Sequence, residues 1–593
     1  MKTTQTGHPT GAAPAGAVQP PPAMQIDWDV PIEMDDGLVL RADVFRPVGP
    51  GKYPALLSYG PYGKGLAFQE GYSTAWEIMV RDHPDTARGS SNTYQNWEVV
   101  DPEKWVPQGY ACVRVDSRGA GRSPGKLDLH SARETRDLAE CIEWAGTRDW
   151  SNGKVGLAGV SYYASNQWRV ATQQPKHLAA ICVWEGYNDR YRESARHGGI
   201  LSTFNKNWQQ MQVMTVQHGR GQRGPRSRVT GELVCGPETL PESELAELRA
   251  DLWGQLHSRE LDDEYYQART PKLEDVRVPL LSAGNWGGQG LHLRGNIEGY
   301  MRAGSRHKWL EMHGGSHWAG FYTDYGNDIQ RRFFDHFLQG ADNGWDKQPP
   351  VQLQIRQVDG SFTQRTESAW PIERTRWTKF FLQARDRKLT PEAAAGAGSV
   401  KYATMGDGVT FRTAPFAQTT EITGPIAARL KLSSTTADAD LFLVVRLFDP
   451  TGREVVLQGA LDPHTPIAQG WLRASHRHVD PARSFPWRPW HTHDRKERLQ
   501  PGVPVTVDVE IWPTCIVIPA GYSLALTVRG RDYEWDGPAA TLSNMKNPMR
   551  GCGPFVHDDP VDRPAEIFDA EVTLHTDSPD DAFLLLPIIP EKS

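Results

Sequence analysis

The hydrophobic and polar positions of the chain first alternate, then gather into continuous apolar runs, and later alternate again. Residues 28–47, WDVPIEMDDGLVLRADVFRP, alternate around an Asp-Asp-Gly turn, which predicts an antiparallel hairpin. Continuous apolar runs follow, separated by helical stretches: PALLSYG, ACVRVD, VGLAGVS, LAAICVWEG and PLLSAGN. Strands that are apolar on both faces and alternate with helices are typical of a parallel sheet buried on both sides. This pattern predicts an α/β domain over residues 26–189 and 273–345.

Residues 190–272 interrupt that pattern. They carry polar segments rich in Arg and Gln, and a helix-like stretch, PESELAELRADLWGQL. An insertion at this point lies above the carboxyl ends of the strands, where a helical cap excludes water and shapes a substrate pocket. A surface excursion without any role in a pocket is the alternative.

The last part of the chain, residues 350–590, returns to short alternating strands. VQLQIRQ, TKFFLQ, IAARLKLSS, LFLVVRLFD, VTVDVEIWP and YSLALTVRG are separated by Pro and Gly turns. Regular short strands of this kind predict a C-terminal β-sandwich or jelly roll. At the other end, residues 1–25 are rich in Pro, Gly, Ala and Thr, which predicts a disordered tail.

Composition and charge exclude several classes of partner. The net charge of −7 gives no basic surface for nucleic acid, and no stretch approaches the ~20 apolar residues that span a bilayer. The six cysteines are far apart and form no Cys-x-x-Cys pair, so a zinc ribbon is not expected. Because the first residues lack the apolar core of a secretory signal, we expect a cytoplasmic protein with reduced thiols.

The segment with the clearest chemistry runs from the strand VGLAG into Gly159-Val160-Ser161-Tyr162-Tyr163, and a helix follows. A strand, a tight turn with a serine, and a helix are the setting of a nucleophile elbow. The usual elbow is Gly-x-Ser-x-Gly, and here Tyr163 replaces the last glycine. A helix-capping role for Ser161 is the alternative. We predict that Ser161 is a nucleophile and that the fold class is α/β: an α/β-hydrolase domain with an inserted helical cap, followed by a C-terminal β jelly-roll domain.

Several motifs resemble those of one family in the same order along most of the chain. Gly159-Val160-Ser161-Tyr162, with Gln167-Trp168 after it, resembles the elbow of the cocaine-esterase-like (CocE/NonD) serine hydrolases of the X-prolyl dipeptidyl-peptidase superfamily. The opening hairpin and four later segments are similar too: Asp116–Ser123, Phe334–Leu338, Gly470–Ser475 and Ile511–Thr514. The resemblance implies an esterase, acylase or dipeptidyl-peptidase that works through an acyl-serine.

A serine hydroxyl needs a base to take its proton, and its substrate needs donors for the developing oxyanion. His317, in KWLEMHGGSHWAG, lies in a loop after a late strand, where the resembling family also has Ser-His; His313 is the rival. The backbone N–H of Tyr162 is the first expected oxyanion donor. By resemblance the hydroxyl of Tyr62, in SYGPYGKG, is the second; a turn tyrosine packed on the surface is the alternative.

The acid of the triad is where the chain departs from the family. The family's Gly-x-Trp-x-Asp motif corresponds to Gly284–Gly290, with Gly288 in place of the acid. Some α/β-hydrolases supply this carboxylate from the strand after the nucleophile helix, and here that strand ends on Glu185. A carboxylate at the end of so apolar a strand needs a partner. We therefore predict Glu185 as the acid, with Asp189 as second choice, because Glu298 lies well along the next helix.

These residues predict two-step acyl transfer on a small-molecule ester, or an amide, without a metal or an organic cofactor. Trp286 and Trp318 lie near predicted catalytic loops and either line the substrate pocket or pack in the core. The paired histidines at 476 and 478 and at 491 and 493 have metal-ligand spacing, but they lie in the β-rich part, and we assign them a structural role.

Two alternatives to an esterase remain at this stage. One is an acylase or dipeptidyl-peptidase acting on an amide bond. The other is a catalytically weak protein, without its acid, whose jelly roll binds carbohydrate. The sequence does not decide between a monomer and a homo-oligomer.

Overall fold

The computed structural model describes residues 24–393, 396–542 and 549–591. The predicted tail lies outside these residues, except for Met24 and Gln25, which begin the first strand. Twelve strands belong to the first part of the chain: β1 (Met24–Glu33), β2 (Val39–Pro47), β3 (Tyr53–Gly60), β4 (Ala111–Asp116), β5 (Ser151–Val160), β6 (Leu178–Trp184), β7 (Arg196–His197), β8 (Ile200–Leu201), β9 (Leu280–Asn285), β10 (Lys308–His313), β11 (Val351–Arg356) and β12 (Phe362–Glu367).

Ten of these strands form one sheet in the order β1-β2-β4-β3-β5-β6-β9-β10-β11-β12, and β7 pairs only with β8. The pairs from β4 to β11 are parallel, whereas β1–β2, β2–β4 and β11–β12 are antiparallel. The five apolar runs of the sequence correspond to β3, β4, β5, β6 and β9, which are almost wholly buried. The predicted α/β domain is therefore confirmed.

The sheet extends further along the chain than the sequence indicated. β11 begins at residue 351 and β12 at residue 362, both inside the predicted β-sandwich, yet β11 pairs in parallel with β10 of the first sheet. Alternation of apolar and polar residues identifies a strand at a sheet edge, but it does not identify the sheet to which the strand adds.

Helices cover the sheet and, together with β7 and β8, lie in the segment between β6 and β9. They are α1 (Phe68–Gly71), α2 (Ser73–Asp82), α3 (Pro102–Trp105), α4 (Ala132–Gly146), α5 (Tyr162–Ala171), α6 (Phe204–Trp208), α7 (Glu242–Glu247), α8 (Leu252–Ser258), α9 (Glu264–Gln267), α10 (Leu293–Arg302), α11 (Ala319–Tyr322), α12 (Asp324–Phe334) and, in the last part of the chain, α13 (Ala565–Phe568). No helix among the described residues has the length and apolar character needed to cross a membrane.

The helix predicted from PESELAELRADLWGQL is broken into α7 and α8. Leu127 interrupts it, because its N–H donates to Leu248 O at 2.9 Å and its O accepts from Ala250 N at 2.8 Å. Asp251 then caps α8 by accepting a hydrogen bond from Gly254 N. Tertiary hydrogen bonds and a capping aspartate thus override a continuous helical pattern.

The last part of the chain is rich in β-strands, as expected. Its strands are β13 (Arg376–Gln383), β14 (Lys388–Thr390), β15 (Ser399–Ala403), β16 (Val409–Arg412), β17 (Thr420–Ser434), β18 (Asp440–Phe448), β19 (Glu454–Val455), β20 (Ala468–Arg473), β21 (Val505–Ile518), β22 (Ser523–Arg529), β23 (Glu571–His575) and β24 (Phe583–Ile589). β24 pairs with both β13 and β17, so the sheet closes on itself around an aliphatic core.

The two domains share a core of large apolar side chains. Trp286 from the α/β domain packs in one buried cluster with Trp471 and Trp512 of the β-rich domain. The backbone of the second domain also reaches the loop after β10, because Ala460 O accepts a hydrogen bond from His317 N at 2.9 Å. The β-rich domain therefore supports one of the predicted catalytic loops directly.

Candidate active site

Ser161 occupies a strained turn between β5 and α5. Its backbone has φ 59° and ψ −111°, a conformation that non-glycine residues rarely adopt. Gly159 at φ 151° makes the turn feasible, since a Cβ there would lie 2.4 Å from Tyr163 Cβ. Ser161 N donates to the carbonyl oxygens of Trp184 and Glu185, both at 3.1 Å. These bonds hold the serine at the carboxyl ends of β5 and β6, in the geometry of a nucleophile elbow.

Glu185 lies directly after β6 and contacts two histidines. Its Oε2 is 2.7 Å from His317 Nδ1, and its Oε1 is 3.1 Å from His313 Nε2. Asn285 Nδ2 also donates to Oε1 at 3.1 Å. Burial alone raises the pKa of this carboxyl, but the two imidazoles outweigh it and lower the pKa to about 2. Glu185 is thus a buried carboxylate that stays ionised.

His317 lies between two carboxylates. Its Nδ1 faces Glu185, and its Nε2 is 3.1 Å from Glu98 Oε1. Burial lowers the pKa of the imidazole, but Glu185 and then Glu98 raise it to about 10. In this arrangement His317 is an imidazolium, and its Nε2 is bound to Glu98 rather than to Ser161.

Glu98 comes from the loop before α3, which the sequence analysis did not single out. Its own backbone is held against the elbow, since Val160 N donates to Glu98 O at 2.9 Å, and it has φ 61°. Burial raises the pKa of Glu98 to about 7 although the bond to His317 opposes that shift. A carboxyl group beside the base whose pKa is close to neutral pH is able to accept or release a proton during turnover.

The hydroxyl of Ser161 is bound to a third histidine, His292, at 3.2 Å from Nε2. Tyr187 N donates to His292 Nδ1 at 3.1 Å, so the proton of the neutral ring is on Nε2. Burial and the charge of His317 hold the pKa of His292 well below its usual value. His292 therefore donates to Ser161 Oγ, and it cannot act as the base in this tautomer.

The rings of His292 and His317 are stacked, with centroids 5.1 Å apart and planes 8° from parallel. Ser161 is consequently next to both imidazoles, although only His292 binds its hydroxyl in this state. His317 Nε2 must exchange its bond to Glu98 for one to Ser161 Oγ before it can take the proton. Catalytic hydrogen bonds often form fully only in the complex with substrate.

The two predicted oxyanion donors lie beside Ser161. Tyr62 shares a cavity with Ser161, and its hydroxyl accepts a hydrogen bond from Trp208 Nε1 at 3.1 Å, which leaves the Tyr62 proton free to donate. Burial raises the pKa of Tyr62 well above its usual value, so the phenol stays protonated. Tyr162 is the first residue of α5, where a backbone N–H has no acceptor within the helix.

Two small cavities meet at Ser161. The first, here called the aromatic cavity, has a volume of about 40 Å³ and is lined by residues that include Tyr72, Trp97, Glu98, His317, Trp318 and, from the second domain, Leu461. The second, here called the polar cavity, has a volume of about 20 Å³ and is lined by residues that include Tyr187, Arg190, Ser194, Asn205 and His292. Ser161, Tyr62, Phe204, Trp208 and Leu291 line both.

The two tryptophans that the sequence placed near the catalytic loops have different surroundings in the structure. Trp318 lines the aromatic cavity and packs against Trp97, with centroids 5.5 Å apart. Trp286 lines neither cavity: its Nε1 donates to Gln354 O at 2.8 Å, and its ring is fully buried beside Trp370. The prediction that Trp286 binds substrate is therefore replaced by a packing role, because its indole faces the interface between the domains.

The alternative acids are engaged elsewhere. Asp189 Oδ2 is 3.0 Å from Arg192 Nη1, and Glu298 Oε2 is 2.8 Å from Arg488 Nη1. The rival base, His313, has its Nδ1 2.7 Å from Glu311 Oε2 and makes no hydrogen bond to Ser161. Of the carboxylates considered from the sequence, Glu185 is the one that contacts His317 in the described structure.

Sequence reasoning missed Glu98 and His292. His292 had a signal, since it closes the glycine-rich loop after β9, where the family carries its acid. Glu98 had none, because its loop is brought to Ser161 by the bond between Val160 N and Glu98 O.

The paired histidines of the second domain contact one another and not the active site. His476 Nδ1 lies 3.0 Å from His493 Nδ1. Over the described ranges, no group of three or more His, Cys, Asp or Glu residues has the arrangement needed to hold a metal ion.

Comparison with known proteins gives matches across both domains. The family model of X-Pro dipeptidyl-peptidases (S15 family) matches residues 36–319, and that of the X-Pro dipeptidyl-peptidase C-terminal non-catalytic domain matches residues 343–542. A crystal structure of a CocE/NonD family hydrolase from Staphylococcus aureus superposes with a TM-score of 0.81 at 30% identity, covering 95% of this chain and 94% of that one.

Two relatives by sequence have names that describe esterases. A putative serine esterase of Mycobacterium bovis is 22% identical, over 84% of this chain and 90% of its own length. The cocaine esterase of a Rhodococcus species is 24% identical, over 72% of this chain and 81% of its own length. The similarity therefore includes most of the length of each relative.

Proposed function

This chain belongs to the CocE/NonD family of hydrolases, and on that premise we propose that it cleaves carboxylic esters through an acyl intermediate on Ser161. The observation that carries the proposal is the backbone of Ser161, held at φ 59° between β5 and α5 beside two imidazoles. Backbone strain of this kind costs free energy and is concentrated at functional sites, so it supports a catalytic role for the serine hydroxyl.

The first half of the reaction forms the acyl-serine. Glu98 first accepts the Nε2 proton of the His317 imidazolium, from which it is 3.1 Å away. The neutral His317 Nε2 then takes the Ser161 proton as Oγ attacks the substrate carbonyl. Glu185 stabilises the imidazolium through Nδ1, at 2.7 Å. The Tyr62 hydroxyl and the Tyr162 N–H donate to the oxyanion. The intermediate collapses when His317 Nε2–H protonates the departing alcohol, which breaks the ester bond.

The second half releases the acyl group. A water molecule loses a proton to His317 Nε2 and attacks the acyl carbonyl. The same two donors stabilise the second oxyanion, and the imidazolium returns its proton to Ser161 Oγ as the carboxylic acid leaves. No group outside the protein and water is needed to balance these steps.

Charge around the site favours an ester over an X-prolyl peptide. A peptidase that binds a free amino terminus needs a carboxylate for the ammonium group. Glu98 and Glu185 are both bound to His317, and the charged side chain of the polar cavity is a cation, Arg190. A substrate ammonium would lie next to this arginine, which opposes its binding.

We also propose that residues 190–272 form a cap and that the β-rich domain is a jelly roll. Phe204 and Trp208 of α6 line both cavities, and Trp208 bonds to Tyr62, which supports a cap over the serine. Antiparallel pairing of the long strands β17, β18, β21 and β22 with their neighbours supports the jelly roll. We further infer a cytoplasmic location, because all six cysteines are free thiols.

Labelling with a fluorophosphonate tests the catalytic role of Ser161. We expect rapid labelling of the wild-type protein, none of Ser161→Ala, and full labelling of the control Ser165→Ala, one turn further along α5. Labelling that persists in Ser161→Ala, or a folded wild-type protein that does not label, would contradict the proposal.

Turnover of two substrates tests the bond that is cleaved. We expect p-nitrophenyl butyrate to be hydrolysed with a larger kcat/KM than glycyl-prolyl p-nitroanilide. The reverse order would identify the chain as an amide hydrolase.

A further inference from the structure

Arg190 is a buried cation without a counter-ion. It begins the π-helical turn Arg190–Ala195 after β6, and only 1% of its surface is exposed. Its Nη1 donates to the Tyr187 hydroxyl at 2.7 Å and to Ser194 Oγ at 2.9 Å. Its Nε and Nη2 are buried and have no acceptor among the described residues. Burial removes the water that would hydrogen-bond to this guanidinium, and the protein does not supply the hydrogen bonds that normally compensate for that loss.

The carboxylates nearest to Arg190 in the chain are bound to other arginines. Asp189 Oδ2 is 3.0 Å from Arg192 Nη1, and Glu193 Oε1 is 2.8 Å from Arg294 Nη1. Each of these acids is thus used by a neighbour. No carboxylate among the described residues forms an ion pair with Arg190, so its charge is left for a ligand to neutralise.

Further positive charge surrounds the same place. The guanidinium carbons of Arg190 and Arg169 lie 6.0 and 5.6 Å from the centre of the Tyr187 ring. Burial, followed by the charges of Arg169, Arg190 and Arg269, holds the pKa of His130 well below its usual value. Arg169 is thus a second guanidinium beside the Tyr187 ring, and it adds to the attraction that Arg190 exerts on an anion.

Arg190 and the nucleophile both line the polar cavity. Ser194 and Asn205 add hydrogen-bonding groups, and Ser161 lies on the wall of the same cavity. The volume of about 20 Å³ is enough for one or two water-sized groups, the size of a carboxylate. The remaining walls, from Phe204, Trp208 and Leu291, suit a short apolar spacer.

The position of the base decides which part of the ester enters this cavity. His317 protonates the leaving alcohol, and His317 lines the aromatic cavity, not the polar one. The alcohol therefore leaves on the side of the aromatic cavity. The acyl chain, on the other side of the scissile bond, extends into the polar cavity towards Arg190.

We infer that Arg190 binds a free carboxylate at the end of the acyl chain, so that monoesters of short dicarboxylic acids are the preferred substrates. This inference rests on the proposed function, since it names the substrate class of the same serine. Two donors with fork geometry, Nε and Nη2, match the two oxygens of a carboxylate.

The test compares an anionic and a neutral ester in the same protein sample. The probes are p-nitrophenyl hemisuccinate and p-nitrophenyl butyrate, which have similar lengths and differ in the terminal group. We expect wild type to favour the hemisuccinate by at least tenfold in kcat/KM. Because both rates come from one sample, their ratio does not depend on the fraction of folded enzyme.

Three variants test whether Arg190 is the cause of the preference for the anionic ester. Arg190→Gln should lower the ratio at least tenfold, and Arg190→Lys should keep part of the preference. Arg192→Gln is the matched control: it removes a cation from the same turn that is paired with Asp189 and Asp262 and lines neither cavity, so the ratio should not change. A wild-type ratio of one or less, or a ratio unchanged in Arg190→Gln, would overturn the inference.

A binding measurement separates this inference from the proposed function. Calorimetry on Ser161→Ala with monomethyl succinate and with methyl butyrate reports affinity without turnover. Binding of the anionic ester alone, weakened at least tenfold by adding Arg190→Gln, supports the carboxylate site even if fluorophosphonate labelling fails. Equal affinities for the two esters refute the site, whereas labelling of Ser161 would still support the hydrolase.

Discussion

At the scale of single residues, the site is organised by charge around His317. One imidazole lies between Glu185 and Glu98, and a second, His292, holds the serine hydroxyl from a fixed tautomer. The two carboxylates have opposite shifts, because the imidazoles lower the pKa of Glu185 to about 2 while burial raises the pKa of Glu98 to about 7. Two carboxyl groups whose pKa values are shifted in opposite directions by their surroundings usually have different acid–base roles.

Glu185→Gln tests the role of Glu185 as the carboxylate that stabilises the His317 imidazolium. An amide leaves the geometry nearly unchanged but does not stabilise the imidazolium, so we expect kcat to fall by ~10⁴-fold. Steady-state hydrolysis of p-nitrophenyl butyrate measures the loss. The control is Glu311→Gln, which removes the other carboxylate on His313 without touching His317, and it should retain activity within a few-fold. Similar losses in both variants would show that Glu185 acts only through packing.

Glu98→Gln tests the second carboxylate through the pH profile. His317 must be neutral to act as base, so activity rises as pH increases through its pKa, which is raised to about 10. Without the Glu98 charge the imidazolium is less stable, and the midpoint of kcat/KM should move to lower pH by roughly 1–3 units. The control Glu103→Gln, in α3 and bonded to Ser90, should leave the profile in place. A midpoint that moves upward would refute this role.

At the scale of the elements, the junction of β5 and α5 determines whether the serine is presented. Gly159, at φ 151°, lies so close to the helix that a Cβ would be 2.4 Å from Tyr163 Cβ and 3.1 Å from Glu98 O. The same glycine thus sets the approach of α5 and of the loop that carries Glu98. Close strand–helix packing of this kind is a requirement of the elbow.

Gly159→Ala should therefore displace the helix, the loop or both. We expect a loss of ~1–3 kcal/mol in the free energy of unfolding, as for other overpacked sites, together with slower fluorophosphonate labelling. Denaturant titration and labelling rates measure the two effects. Gly360→Ala is the matched control, since this turn glycine also has positive φ, 84°, but nothing lies within 4 Å of an added Cβ. Normal labelling of Gly159→Ala would contradict the assigned geometry.

At the scale of the whole molecule, the β-rich domain completes the active site. Ala460 accepts a hydrogen bond from His317 N at 2.9 Å and donates to Gly287 O at 3.0 Å, while Leu461 lines the aromatic cavity. The loop of the second domain thus connects the two loops, after β9 and after β10, that bracket the site. Movement between the domains would displace the base.

Gly287→Ala tests this connection, because a Cβ at residue 287 would lie 2.4 Å from Gly459 Cα across the interface. We expect kcat to fall and the free energy of unfolding to decrease by ~1–3 kcal/mol. Gly406→Ala, whose new methyl would lie 3.3 Å from Ala403 O and far from the interface, should leave kcat unchanged and lower the free energy of unfolding less. Unaltered kcat in Gly287→Ala would mean that the interface does not position His317.

The order of the elements and the identity of the nucleophile were within reach of the sequence alone. Apolar runs alternating with helical stretches specify a parallel sheet through burial on both faces, and the run into Gly159-Val160-Ser161 specifies a tight turn. The sequence also pointed to Glu185 as the partner of His317, because a carboxylate at the end of a wholly apolar strand needs a partner. Those two side chains lie 2.7 Å apart.

Only the tertiary structure brought Glu98, His292 and Arg190 to the same serine. Their loops are distant along the chain. Val160 N donates to Glu98 O and Tyr187 N donates to His292 Nδ1, and bonds of this kind leave no pattern in hydrophobicity. The structure likewise removed Trp286 from the pocket and assigned β11 and β12 to the first sheet. Local sequence specifies which segments are strands, helices and tight turns, whereas the contacts between loops depend on the packing of the complete fold.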